Sequence, residues 1–60
     1  MNLYKIYAIK INERTGSKYD VPEFVVAISV TEAEDKFRKS WKGWKIEVYK
    51  NITYAIDIII

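Results

Sequence analysis

Asn2-Leu3-Tyr4-Lys5-Ile6-Tyr7-Ala8-Ile9-Lys10-Ile11 alternates in two phases, with Tyr4, Ile6 and Ala8 in one and Leu3, Lys5, Tyr7, Ile9 and Ile11 in the other. Period-two spacing of aromatic and β-branched residues predicts a strand. Both of its faces are largely apolar, unlike a strand wetted on one side. Charge decides which phase points inward. Lys5 shares the phase of Tyr7 and Ile9, so burying that phase would put an ammonium group in mid-core. Tyr4, Ile6 and Ala8 are therefore expected to face the interior, and Tyr7, Ile9 and Ile11 to lie on an outer face.

A polar stretch, Asn12 to Asp20, follows, with Thr15-Gly16-Ser17 as its turn, and Val21-Pro22 leads into a second strand from Glu23 to Val30. In this strand Phe24, Val26, Ile28 and Val30 form one phase, leaving Val25 beside Tyr7 and Ile9 on the outer face. Thr31-Glu32-Ala33-Glu34 has the spacing of a capping box, a hydroxyl and a carboxylate that each serve the other's backbone N–H. It predicts a helix from about Glu32 to Lys42, capped by Thr31, with Ala33, Phe37 and Trp41 in one stripe and Gly43 as a left-handed stop. From Trp44 onward the even positions, Lys50 apart, are all apolar as far as Ile60. One strand over these 17 residues would reach ~55 Å. The alternation therefore predicts a hairpin around Tyr49-Lys50-Asn51 that pairs Val48 with Ile52 and sets Asp57 diagonal to Lys45. The expected architecture is a single α+β domain over residues 1–60, β-β-α-β-β, with one helix laid across a four-stranded, mainly antiparallel sheet.

The inventory removes most chemistries. With no His and no Cys in 60 residues, the Ser/His/Asp and Cys/His constellations, histidine metal sites and disulfides cannot be built. Gly16 and Gly43 are too far apart for a phosphate-cradling loop. Glu32, Glu34 and Asp35, the densest acidic cluster, are accounted for by the helix N-terminus. The reading is of a protein that is not an enzyme and needs no cofactor or metal. No apolar run is long enough to cross a membrane, and no basic segment leads into one, so a cytoplasmic protein is expected. A domain of this size buries only about 60% of its unfolded surface. Without staples it gains from self-association, which makes a homodimer the expected state.

Two surfaces are candidates for a partner. Tyr7, Ile9, Ile11 and Val25 form an apolar outer sheet face, to which Ile59 of the Ile58-Ile59-Ile60 end adds an uncharged edge. Arg38, Lys39, Lys42 and Lys45, interleaved with Trp41 and Trp44, form a basic patch of the kind that binds single-stranded nucleic acid or RNA. Against the second stands the ordinary role of cations at a helix C-terminus, and the formal charge is only +2.

Ten isoleucines, eight lysines, five tyrosines and three asparagines, all types with AT-rich codons, accompany this small one-helix plan. In size, composition and architecture the chain resembles small viral accessory proteins that block host defence or host enzymes by binding, anti-CRISPR proteins among them. The resemblance implies a stoichiometric protein-binding module, an inhibitor of a host protein in the host cytoplasm. The alternative is a small nucleic-acid-binding protein that uses residues 38–45.

Overall fold

The computed structural model describes residues 1–58. Along the chain run β1 (Asn2–Ile11), β2 (Lys18–Tyr19), β3 (Glu23–Ala27), α1 (Val30–Ser40) and β4 (Lys45–Ala55). The four strands form one antiparallel sheet and the helix packs on one of its faces, an α+β fold. β1 lies in the middle. One of its edges pairs with β4 from Leu3 to Ile11; the other pairs with β3 from Asn2 to Ile6 and with β2 at Lys10 and Ile11. The molecule is accordingly long and thin, 39 × 17 × 16 Å, with a radius of gyration of 12.0 Å, against about 10 Å for a compact chain of this length.

Local chemistry explains each boundary. Asn12 closes the first turn: its side-chain oxygen accepts the N–H groups of Arg14 and Thr15, and its carbonyl accepts that of Gly16, whose φ of 77° suits glycine. The helix begins two residues before the expected place. Ser29 is the N-cap, its hydroxyl accepting the N–H of Glu32 at 3.1 Å, while the Glu32 carboxylate accepts the N–H of Ile28. Ser29 and Glu32 thus take the spacing predicted for Thr31 and Glu34, with the carboxylate serving the N–H one residue before the cap, and Thr31 lies inside the first turn. Glu34 reaches instead to the Asn51 amide on β4. At the other end the helix stops at Ser40, and the turn to β4 passes through Gly43 with φ 89°.

Ala33 and Phe37 are buried beneath the helix against Tyr4, Ile6, Ala8 and Ala27, with Val25, Trp41, Ile46 and Val48 packed around them. This places Val25 inside, a correction to the outer-face assignment. Cα pairing of Tyr4 with Val25 and Asn2 with Ala27 turns Glu23, Val25 and Ala27 toward the helix and Phe24 away from it. The small side chains of Ala27 and Ala33, both fully buried, suit a close helix–sheet approach.

The predicted hairpin at residues 49–51 is also corrected, since β4 is one continuous strand. A strand folded back on itself would leave β1 with an unpaired edge, whereas eleven residues span about 36 Å and match the long axis. Two register shifts break the even alternation. Ala8 pairs with Val48 and Tyr7 with Lys50, so Tyr49 bulges; Tyr4 pairs with Thr53 and Leu3 with Ala55, so Tyr54 bulges. The first bulge flips the phase: Ile46 and Val48 face the helix, but Ile52 shares the opposite face with Lys5. Asp57 lies at the Asn2 end, its N–H donated to the Asn2 side chain, at the far end of the sheet from Lys45, which pairs with Ile11.

The interior also holds one charge. Lys10 continues the inward phase of Tyr4, Ile6 and Ala8 and is 1% exposed. Its ammonium donates to the Val21 carbonyl at 2.7 Å and to Glu23 Oε2 at 3.4 Å, and lies 5.0 Å from the Trp41 ring centre and 5.6 Å from that of Phe37. The Trp41 indole N–H donates to the same Glu23 oxygen at 2.6 Å. The cluster ties β1, β3 and the helix end together, which makes a lysine tolerable where water is excluded.

Two stability predictions follow from these contacts, both read by urea denaturation. Ser29→Ala should cost ~1 kcal/mol through the lost cap, while Thr31→Ala should stay within about 0.5 kcal/mol. Equal losses would contradict the assigned cap. Glu23→Ala leaves the Lys10 ammonium with one carbonyl and should cost roughly 2 kcal/mol, below the 3–5 kcal/mol range for buried pairs because the carboxylate is partly exposed. Lys10→Met, which removes the charge and keeps the volume, should cost less than Glu23→Ala.

Candidate functional site

The helix covers one face of the sheet and leaves the other open. By register the open face carries Leu3, Lys5, Tyr7, Ile9 and Ile11 from β1, Phe24 and Val26 from β3, and Lys45, Glu47, Lys50, Ile52 and Ala55 from β4. Tyr7, Ile9 and Ile11 lie where the alternation predicted. Val25 does not join them, and Phe24 occupies the position on β3 that was expected of it. Ile59 lies outside the described residues.

The bulged tyrosines complete this face. Tyr54 packs edge-on against Phe24 with ring centres 5.0 Å apart, and Tyr49 lies 6.2 Å from Tyr7. Since β1 runs between β3 and β4, the Phe24–Tyr54 contact bridges over the central strand. The Tyr49 hydroxyl donates to Asp20 at 2.8 Å. That hydrogen bond to a carboxylate holds its pKa above the usual phenol value. Lysines lie over the rings: Lys5 Nζ is 5.2 Å from the centre of Tyr7 and 5.5 Å from that of Phe24, and Lys50 Nζ is 5.4 Å from that of Tyr7. Phe24, Tyr49 and Tyr54 nevertheless remain more than half exposed, at 52, 55 and 60%.

The basic segment is divided. Arg38 and Lys39 are exposed in the last helical turn and Lys42 in the turn that follows, but Lys45 opposes Ile11 and so belongs to the open face, away from the helix. Its tryptophans are committed to structure. Trp41 bonds Glu23 and meets Trp44 edge-on at 5.0 Å, and Tyr19 packs 5.5 Å from Trp44. Arg38 and Lys39 lie where cations complement the helix dipole.

The phase of β3 and the bulges of β4 are what sequence reading missed at this site. Grouping Phe24 with Val26, Ile28 and Val30 as the inward phase reversed the strand, because pairing with Tyr4 and Asn2 turns Val25 and Ala27 toward the helix. No signal in the even series from Trp44 marks Tyr49 or Tyr54 as extra residues. No ligand-sized cavity and no cluster of acidic side chains suited to a metal ion occurs among the described residues. Comparison with protein families, with characterised proteins and with solved structures finds no match for this chain.

A divided basic segment with occupied rings should bind single strands weakly. Labelled oligonucleotides are expected to show only nonspecific affinity, about 10⁻⁴–10⁻⁶ M at physiological salt. Reversing Arg38, Lys39, Lys42 and Lys45 together to Glu should abolish even that, with circular dichroism as the check on folding. Submicromolar binding lost in the folded quadruple variant would instead make residues 38–45 a nucleic-acid site.

Proposed function

We propose that this chain is a protein-binding module that acts by stoichiometric contact through the open face of its sheet. One observation carries the reading, the inversion of inside and outside. Among the described residues, half of the six buried hydrophobics are alanines, while Phe24, Tyr49, Tyr54, Ile28 and Ile56 are among the large hydrophobics left exposed. Phe24, Tyr54, Leu3, Val26 and Ile52 share one face, and a contiguous apolar patch of that kind marks a protein contact. Aromatic side chains supply large contact area at low entropic cost, which is why they concentrate at interfaces.

The resemblance to small viral accessory proteins supports a host protein as the target and inhibition by occupancy as the effect, within the host cytoplasm. No catalytic step forms part of the proposal. A second copy of the chain is the competing occupant, as the missing staples led us to expect. A two-fold pair through this face would enlarge a very small core.

Pull-down from nuclease-treated host lysate should recover a protein in about one-to-one ratio with wild type, and none with the folded Phe24→Asp, Tyr54→Asp double variant. Recovery that vanishes with nuclease would favour nucleic acid instead. Light scattering reads the competing occupant. A doubled mass at high micromolar concentration that returns to monomer in Ile9→Lys would make the second copy the partner.

A further inference from the structure

Building on the protein-binding reading, we propose that the segment docking on the open face is acidic, with carboxylates that pair with Lys5 and Lys50 while its apolar side chains lie on Phe24, Ile52 and Tyr54. The face carries three lysines, Lys5, Lys45 and Lys50, against one acid, Glu47. Among the described residues the ion pairs are Lys10–Glu23 and Lys36–Glu32, so none of the three lysines is paired. Asp20, at the margin, already accepts the Tyr49 hydroxyl.

Lys5 and Lys50 cannot swing clear at no cost, because both ammonium groups lie over Tyr7 and Lys5 also over Phe24. A partner that covers Phe24 and Tyr7 therefore strips water from two fixed cations. Such a contact is favourable only if the partner brings anions to meet them. A second copy brings one Glu47 with three more lysines, so a symmetric pair leaves most of the charge unmatched and sets like charges together. Single-stranded nucleic acid has the anions but needs free ring faces on which bases can stack. Here Tyr7 carries two ammonium groups and Phe24 carries one while packing T-shaped with Tyr54, which leaves Tyr49 and Tyr54 as the rings most open to a base. The aliphatic rows Leu3, Ile9, Ile11 and Val26, Ile52 fit polypeptide side chains better than bases. An acidic polypeptide satisfies both the lysines and the apolar surface.

The test is selection from a displayed library of random dodecapeptides on the immobilised full chain, with the folded Phe24→Asp variant as background. Enriched peptides should carry at least two Asp or Glu among aromatic or aliphatic residues. A synthetic peptide of the enriched sequence should lose about tenfold or more in affinity for the Lys5→Glu, Lys50→Glu variant. Selection on that variant should turn toward Lys- or Arg-bearing peptides. Should the reversal fail to fold, Lys5→Gln with Lys50→Gln is expected to give a smaller loss in the same direction. Enriched peptides without acids, or an affinity indifferent to both variants, would overturn the acidic partner and leave the protein-binding reading standing. Absence of enrichment over background would sink both. Submicromolar binding of labelled dT12, lost in the same variants, would reassign the anion to nucleic acid.

Discussion

Everything in this molecule is fixed by the position of β1 between two antiparallel neighbours. Its backbone pairs with β4 on one edge and with β3 and β2 on the other, so its alternation sets the facing of every strand beside it. Tyr4 turns Val25 and Thr53 inward with it, and Lys5 turns Phe24 and Ile52 outward. A one-residue slip of β1 would bury Lys5 and expose the residues under the helix. Register here is therefore a matter of charge as much as of packing. Lys10 shows where that logic bends, because it follows the inward phase and is buried only through the Val21 carbonyl, Glu23 and two aromatic rings.

The same constraint accounts for the aromatic character of the open face. β4 must follow β1 over nearly its full length, and each bulge takes up one residue on the way. Both of those residues are tyrosines, and both meet aromatic partners on the far side from the helix. Without the bulge at Tyr49, the even series would have put Ile52 under the helix with Val48. Lys50 would have gone under the helix with it, opposite Ile6. The bulge at Tyr49 thus keeps an ammonium out of the core and brings Ile52 to the outer face along with it.

Much of the fold was legible in the residues because local signals agreed. Alternation in β1, the turn through Gly16 and the packing of Ala33, Phe37 and Trp41 on the sheet appear in the structure as read, whereas the helix ends at Ser40 with Trp41 as its C-cap, short of the stop expected at Lys42 and Gly43. The helix start was displaced by two residues because Ser29 and Glu32 repeat the spacing of Thr31 and Glu34, and local pattern cannot choose between overlapping boxes. Here the Glu32 carboxylate reaches Ile28, while Glu34 is committed to Asn51. The facing of β3 and the continuity of β4 were not legible, since both depend on pairing with a strand distant in sequence. Of the open face, Tyr7, Ile9 and Ile11 could be read from β1 alone. Phe24, Tyr49, Tyr54 and Lys50 required the register.

The two edges of the sheet are treated differently. On the β3 side, the Lys36 ammonium, from the helix, donates to the Val26 carbonyl at 2.9 Å. It places a charged side chain against that strand, which disfavours an incoming one. Among the described residues no side chain covers β4 in this way, but its two bulges interrupt the straight run of backbone groups that a strand could use. Head-to-tail growth requires the β4 edge of one molecule to meet the β3 edge of the next, and each junction would have to displace a lysine and accommodate a bulge. Edge pairing that uses β4 alone closes after two chains and cannot propagate. A domain with this much apolar surface is thereby guarded against fibres by one side chain and two surplus tyrosines.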